Sequence, residues 1–164
     1  MKNWPSSAKS PSDSPAGPAS NSVVEIEERV RYSETDQMGV AHNKSYFEWF
    51  ELGRTEFCRL RGLPYKDIEA QGFYLVVVEA FCRYRKPLRY DQLFLIRTTL
   101  REATAKKVVF DYEIMSQDQR GLIASGYTVH IATNAEGEVR FLPESILRRI
   151  SGSSNQARAS FSSR

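Results

Sequence analysis

The sequence predicts one α+β domain in which an antiparallel sheet packs against a single long helix. Three observations predict it: a period-two alternation at Val24–Tyr32, helical periodicity over Ser45–Arg61, and four β-rich stretches after it. The chain has 164 residues, which leaves room for that domain and for tails. Residues 1–22 hold four of the seven prolines among many Ser and Ala, and residues 151–164 read SGSSNQARASFSSR. Neither stretch has the apolar surface to offset its ordering entropy, so both are expected to be disordered, with the domain over 23–150.

In the first strand Val24, Ile26, Val30 and Tyr32 share one parity, while Glu25, Glu27, Arg29 and Arg31 take the other. That pattern gives a half-buried strand. The polar segment Ser33–Asn43, which contains Gly39, reads as a loop. In the helix Tyr46, Phe50, Gly53, Phe57 and Leu60 recur at steps of four and three, and Phe47, Trp49 and Cys58 widen the apolar face. Ser45 with Glu48 makes a capping-box pattern, Asn43 is an alternative cap, and Gly62 is a stop. Gly53 in mid-helix costs about 1 kcal/mol relative to Ala, which fits a place where another backbone passes close by.

A turn-rich stretch follows at Leu63–Tyr65 and Gln71–Gly72. Strands are then predicted over Phe73–Arg85, Leu93–Leu100, Val108–Met115 and Ile123–Thr133, with a short strand and a helical turn in Phe141–Ile150. Sheet edges left open by this order call for cover, so a homodimer or homotetramer is expected.

Charge and composition narrow the function. The 23 basic and 20 acidic residues leave a net charge of +3, with no dense basic stripe, so a nucleic-acid partner is not expected. Cys58 and Cys82 lie far apart in sequence and have no metal-ligand spacing to His42 or His130, so they read as free thiols and no metal is expected. No apolar run approaches the roughly 18 residues of a membrane span, and no signal-peptide core is present, so a cytosolic protein is expected.

Chemistry concentrates in YSETDQMGVAHNKSY, Tyr32–Tyr46, where Asp36 and Gly39 precede the helix start. A helix N-terminus offers unpaired N–H groups and partial positive charge, which can polarise a carbonyl and hold an oxyanion. A nearby carboxylate could attack that carbonyl or activate water. An Asp before a helix also serves as a turn or cap residue, and the residues alone leave both readings open.

The run RVRYSETDQMGVAHNKSYFEWFE, Arg29–Glu51, resembles the signature of the 4-hydroxybenzoyl-CoA thioesterase-like branch of hotdog-fold proteins. The resemblance continues in RTEF, Arg54–Phe57, and in YRKPLRYD, Tyr84–Asp91, and covers about residues 23–150. It implies a curved antiparallel sheet wrapped around one central helix, and an enzyme hydrolysing acyl-CoA without a cofactor. Asp36 then matches the family's catalytic Asp, as nucleophile or general base. Asn43 falls where the family's backbone N–H polarises the thioester carbonyl. Tyr46 matches a Tyr on the first helical turn, with His42 just before it. Val76, Val77, Val78 and Glu79 fall on the central strand that passes the acyl pocket. Separately, Arg83 and Arg85 are expected on one strand face and, with Lys86 and Arg89, could meet coenzyme A phosphates. A hotdog hydratase or dehydratase and a non-catalytic binding module for acyl-CoA or acyl carrier protein are the alternatives.

Overall fold

The computed structural model describes residues 22–118 and 120–152, so the expected disordered tails lie outside the described residues apart from Ser22, Ser151 and Gly152. The elements are β1 (Val23–Arg29), a 3-10 turn (Tyr32–Glu34), α1 (Asn43–Leu60), α2 (Tyr65–Ala70), β2 (Tyr74–Tyr84), β3 (Leu93–Ala103), β4 (Lys107–Ser116), β5 (Leu122–Thr133) and α3 (Glu144–Ile150). The strands form one antiparallel sheet in the order β1-β3-β4-β5-β2. Hairpins β3–β4–β5 make its middle, and α1 carries the chain from one edge strand, β1, to the other, β2. The helix packs against β1, β2, β3 and β4.

The alternation read in β1 sets its register. Val24 lies opposite Thr98 and Ile26 opposite Ile96, on the face toward the helix. Glu25 lies opposite Arg97 on the other face, where Arg97 also pairs with Glu113. Aromatic rings fill the helix–sheet interface. Phe50 stacks on Tyr112 at 4.3 Å, Trp49 tilts onto Phe94 at 4.3 Å, and Phe57 meets Phe110 edge-on at 5.4 Å. Burying side chains of this size contributes about 1.5–3 kcal/mol each, and a ring pair adds about 0.5–1.5 kcal/mol. Gly53 sits where α1 crosses β3: a Cβ there would overlap Thr98 Oγ1 and come within 3.0 Å of Ile96 Cγ2. The close neighbours are therefore side chains of β3, not the backbone that the sequence suggested.

Four other local expectations change. The helix starts at Asn43 with His42 as its cap, whose Nδ1 accepts from Lys44 N at 3.2 Å; Ser45 instead turns its hydroxyl to Glu34 O. The turn-rich stretch holds α2, a helix too short to show periodicity, with Ile68 its one fully buried residue. β2 is an edge strand, so Val76–Glu79 do not run through the middle of the sheet. Only an isolated Thr133–Val139 bridge stands near the expected short strand, and α3 follows from Glu144.

Candidate active site

The loop between β1 and α1 is held by one buried carboxylate. Glu34 Oε2 accepts from Arg31 N at 2.8 Å, and Oε1 accepts from Trp49 Nε1 at 3.1 Å. Its carbonyl takes two further bonds, from His42 N at 2.7 Å and from Ser45 Oγ at 3.1 Å. One residue thus fixes both the entry to the loop and the start of the helix.

Between these anchors the chain closes a tight turn around Asp36. Its N–H donates to Val40 O at 2.8 Å, and Gly39 N donates back to Asp36 O at 2.9 Å. Gly39 has φ +73°, a conformation glycine adopts without steric penalty. Asp36 Oδ1 accepts from Met38 N at 2.9 Å and from Val40 N at 3.3 Å. Oδ2 takes no hydrogen bond from the described residues, and the side chain is exposed. Ala41 N donates to Leu88 O at 2.7 Å, which ties the loop to the segment after β2.

At the helix start, Lys44 N is capped by His42 and Ser45 N bonds His42 O. Asn43 N–H finds no acceptor among the described residues. It and Asp36 line one cleft of about 370 Å³. The walls are Asp36, Val40 and Ala41 from the loop, Asn43 and Tyr46 from α1, and Tyr84–Pro87 from the end of β2. Tyr84 Oη donates to Asn43 O at 3.3 Å, which fixes the first helical residue from the strand side. Tyr46 is buried between Trp49 and Tyr84, at centroid distances of 4.8 and 4.9 Å. Burial lifts its phenol above the ordinary range, with Cys82 adding to the rise, so the hydroxyl stays protonated.

Arg85 N and Lys86 N both donate to Ile123 O, at 2.8 and 3.1 Å, and this irregular end of β2 brings the two basic residues to the cleft. Arg83 is not among the residues lining that cleft; its guanidinium stands over the Phe81 ring, 5.9 Å from the centroid. His42 is spent as a cap and does not line the cleft. A bulge between Val77 and Glu79 leaves Val78 without a partner in β5. Val77 lies opposite the buried His130, on the helix side, whereas Glu79 accepts a hydrogen bond from Tyr127 Oη on the outer face. None of Val77, Val78 and Glu79 reaches the cleft in one chain.

Asp36 also borders a second cleft of about 460 Å³ on the other side of the loop, lined by Tyr32, Thr35, Gln37, Gly39 and Tyr90. Among the described residues no group of three or more His, Cys, Asp or Glu side chains could hold a metal ion. No helix among them is long and apolar enough to cross a membrane. Nothing in the sequence marks Tyr84, which opens the YRKPLRYD block, as a wall of the cleft, or Glu34 as the loop's anchor, since a carboxylate in a polar loop carries no local signal of burial.

The chain is similar to known proteins in sequence and in fold. Residues 30–150 match the family model described as the thioesterase-like superfamily. A protein of Aquifex aeolicus (strain VF5), to which an esterase activity is provisionally ascribed, is 34% identical over 73% of this chain and 91% of its own length. The crystal structure of a hypothetical protein from Thermus thermophilus is 37% identical and superposes with TM-score 0.71, over 80% of this chain and 98% of that one. The DHNA-CoA thioesterase from Staphylococcus aureus is 30% identical with TM-score 0.67, over 74% and 80% of the two chains. The hotdog architecture expected from the resemblance is thus the one the chain adopts.

Proposed function

This chain belongs to the thioesterase-like superfamily, and on that premise we propose that it hydrolyses an acyl-CoA thioester in the cleft between Asp36 and the start of α1. The observation that carries the proposal is that one cleft holds a carboxylate with one oxygen, and a helix N–H, that find no hydrogen-bond partner among the described residues. The thioester carbonyl oxygen sits on Asn43 N–H at the positive end of α1, which stabilises the negative charge that develops there. Asp36 Oδ2 either attacks the carbonyl carbon or takes a proton from the attacking water. The C–S bond breaks, coenzyme A leaves as the thiol, and the acyl group leaves as the acid. Losing one such N–H donor costs on the order of a hundredfold or more in rate. The chemistry needs no metal or redox cofactor.

Arg85 and Lys86, on the strand side of the cleft, attract the phosphates of coenzyme A. The relatives support this substrate class, because one of them is named as a DHNA-CoA thioesterase. Two free cysteines suit a reducing, cytosolic setting.

The same reading includes a homodimer. Among the described residues β2 pairs with β5 alone, and Val76, Val77, Val78 and Phe81 stay exposed on it. Such an edge is covered when two copies pair strand to strand, and pairing would bring Val77–Glu79 of one chain toward the site of the other. The deciding experiment is thiol release across a panel of short, long and aromatic acyl-CoAs. Release from at least one member is expected; tight binding of the esters with no thiol released would make the chain a binding module.

A further inference from the structure

The start of α1 is held from two sides. From the loop side, Glu34 O accepts from His42 N at 2.7 Å and from Ser45 Oγ at 3.1 Å, which grips the chain before and after Asn43. From the strand side, Tyr84 Oη donates to Asn43 O at 3.3 Å. Among the described residues Tyr84 alone bonds Asn43 from outside the helix.

Burial does not account for Tyr84. It closes β2, and 45% of it is exposed. Its ring stands edge-on to the buried ring of Tyr46, with centroids 4.9 Å apart, and that contact fixes the ring's direction. The backbone beneath is fixed too. Tyr84 lies opposite Ala124, and the next two N–H groups share Ile123 O. Loss of hydration, with the Cys82 thiol beside it, pushes the phenol up to about 12, so the hydroxyl keeps its proton and stays a donor.

A helix spends one lone pair of an early carbonyl on the N–H four residues on and leaves the second free. Tyr84 fills that second site on Asn43 O, from the wall of the cleft that Asp36 and Asn43 share. Helix ends fray, and this bond ties residue 43 to the strand. It also masks a partial negative charge close to where an oxyanion forms. A length of 3.3 Å is long for an O–H···O bond, and catalytic hydrogen bonds are often long in the free protein and tighten in the transition state. We propose that Tyr84 is a positioning residue for the reaction: acting through Asn43 O, it holds the Asn43 N–H where the thioester carbonyl oxygen arrives, and so sets turnover without setting affinity. This rests on the thioesterase reading of the cleft.

The test is Tyr84→Phe, which keeps the ring against Tyr46 and removes the hydroxyl. Thiol release from acetyl-, octanoyl- and benzoyl-CoA is measured on the full chain and the variant, with thermal unfolding as the control. A misplaced catalytic group or a lost oxyanion donor each costs on the order of a hundredfold, so a loosened donor should lower kcat roughly fivefold to fiftyfold and leave KM within about twofold. The second readout is the infrared stretch of an isotope-labelled carbonyl in the ketone isosteres of these esters, in which a methylene replaces the sulfur. The bound stretch should lie lower in the full chain than in the variant, because a held N–H polarises the carbonyl more. An unchanged kcat, a change in KM alone, one frequency shared by both proteins, or a variant that does not fold would overturn the role. Should the unmodified chain release no thiol from any ester, the thioesterase reading falls, and the frequency difference alone decides whether Tyr84 places the N–H. Failure of the unmodified chain to bind any of the ketones would overturn the role as well.

Discussion

Trp49 and Glu34 are joined by a buried hydrogen bond of 3.1 Å from the indole N–H to Oε1. The bond couples the second turn of α1 to the loop that carries Asp36. It also explains how a charged residue comes to be buried in a polar segment: both carboxylate oxygens are used, the other by Arg31 N.

Glu34→Ala leaves the buried Trp49 indole N–H without an acceptor, which costs about 1–3 kcal/mol, whereas the Arg31 N–H that it also releases belongs to an exposed residue. Urea denaturation should show a loss in that range. Glu34→Gln, which keeps an acceptor oxygen for Trp49, should lose less, and hydrolysis should follow the same ranking because the loop positions Asp36.

Gly53→Leu forces a side chain into Thr98 Oγ1 and Ile96 Cγ2. Overpacking of this kind costs about 1–3 kcal/mol, occasionally more, and should appear as a lower thermal midpoint. An unchanged midpoint would mean that α1 does not press Gly53 against β3.

His130 is fully buried, with Nε2 2.8 Å from Thr128 Oγ1. Burial, helped by the positive charge of Arg54, pushes its pKa down to about 4 from 6.5. The unfolded chain therefore binds a proton that the folded chain refuses between those values. The contribution is complete above pH 6.5 and is lost progressively as pH falls to about 4, by at most about 3 kcal/mol. Stability measured by urea across pH 4–7 should show this slope, and His130→Gln should flatten it.

The paired substitutions Val76→Lys and Val78→Lys place charge on the exposed β2 strand. Light scattering behind size exclusion should show a dimer for the unmodified chain and a monomer for the variant. A variant that stays dimeric would place the interface elsewhere.

The sequence revealed most where periodicity was long. The four steps from Tyr46 to Leu60 gave α1, and the alternation at Val24–Ile26 gave the register of β1. It was silent where a local contact overrides the pattern. Tyr32 has the parity of a core residue and points to solvent because the strand stops three residues earlier. His42 takes the cap that Ser45 appeared to offer, since the Ser45 hydroxyl is drawn to Glu34 O. The edge position of β2 depends on a pairing with β5 that spans some fifty residues, and no local signal carries it. At the site, Asp36, Asn43 and Tyr46 were legible as a motif before a helix, and Arg85 and Lys86 as nearby charge. Strand parity alone cannot foresee that β2 ends at Tyr84 and that Arg85 N and Lys86 N share one acceptor on Ile123.

The proposed hydrolysis depends on the carboxylate charge of Asp36, which Asp36→Asn removes. Asn keeps a side-chain oxygen for Met38 N and Val40 N, so the turn should survive while the base or nucleophile is gone. The measurement is kcat for thiol release from the best acyl-CoA of the panel, with thermal unfolding as the control for folding. A fall of about 10²–10⁴ in kcat with an unchanged unfolding midpoint is expected. Turnover at the unmodified rate in a folded Asp36→Asn protein would contradict it.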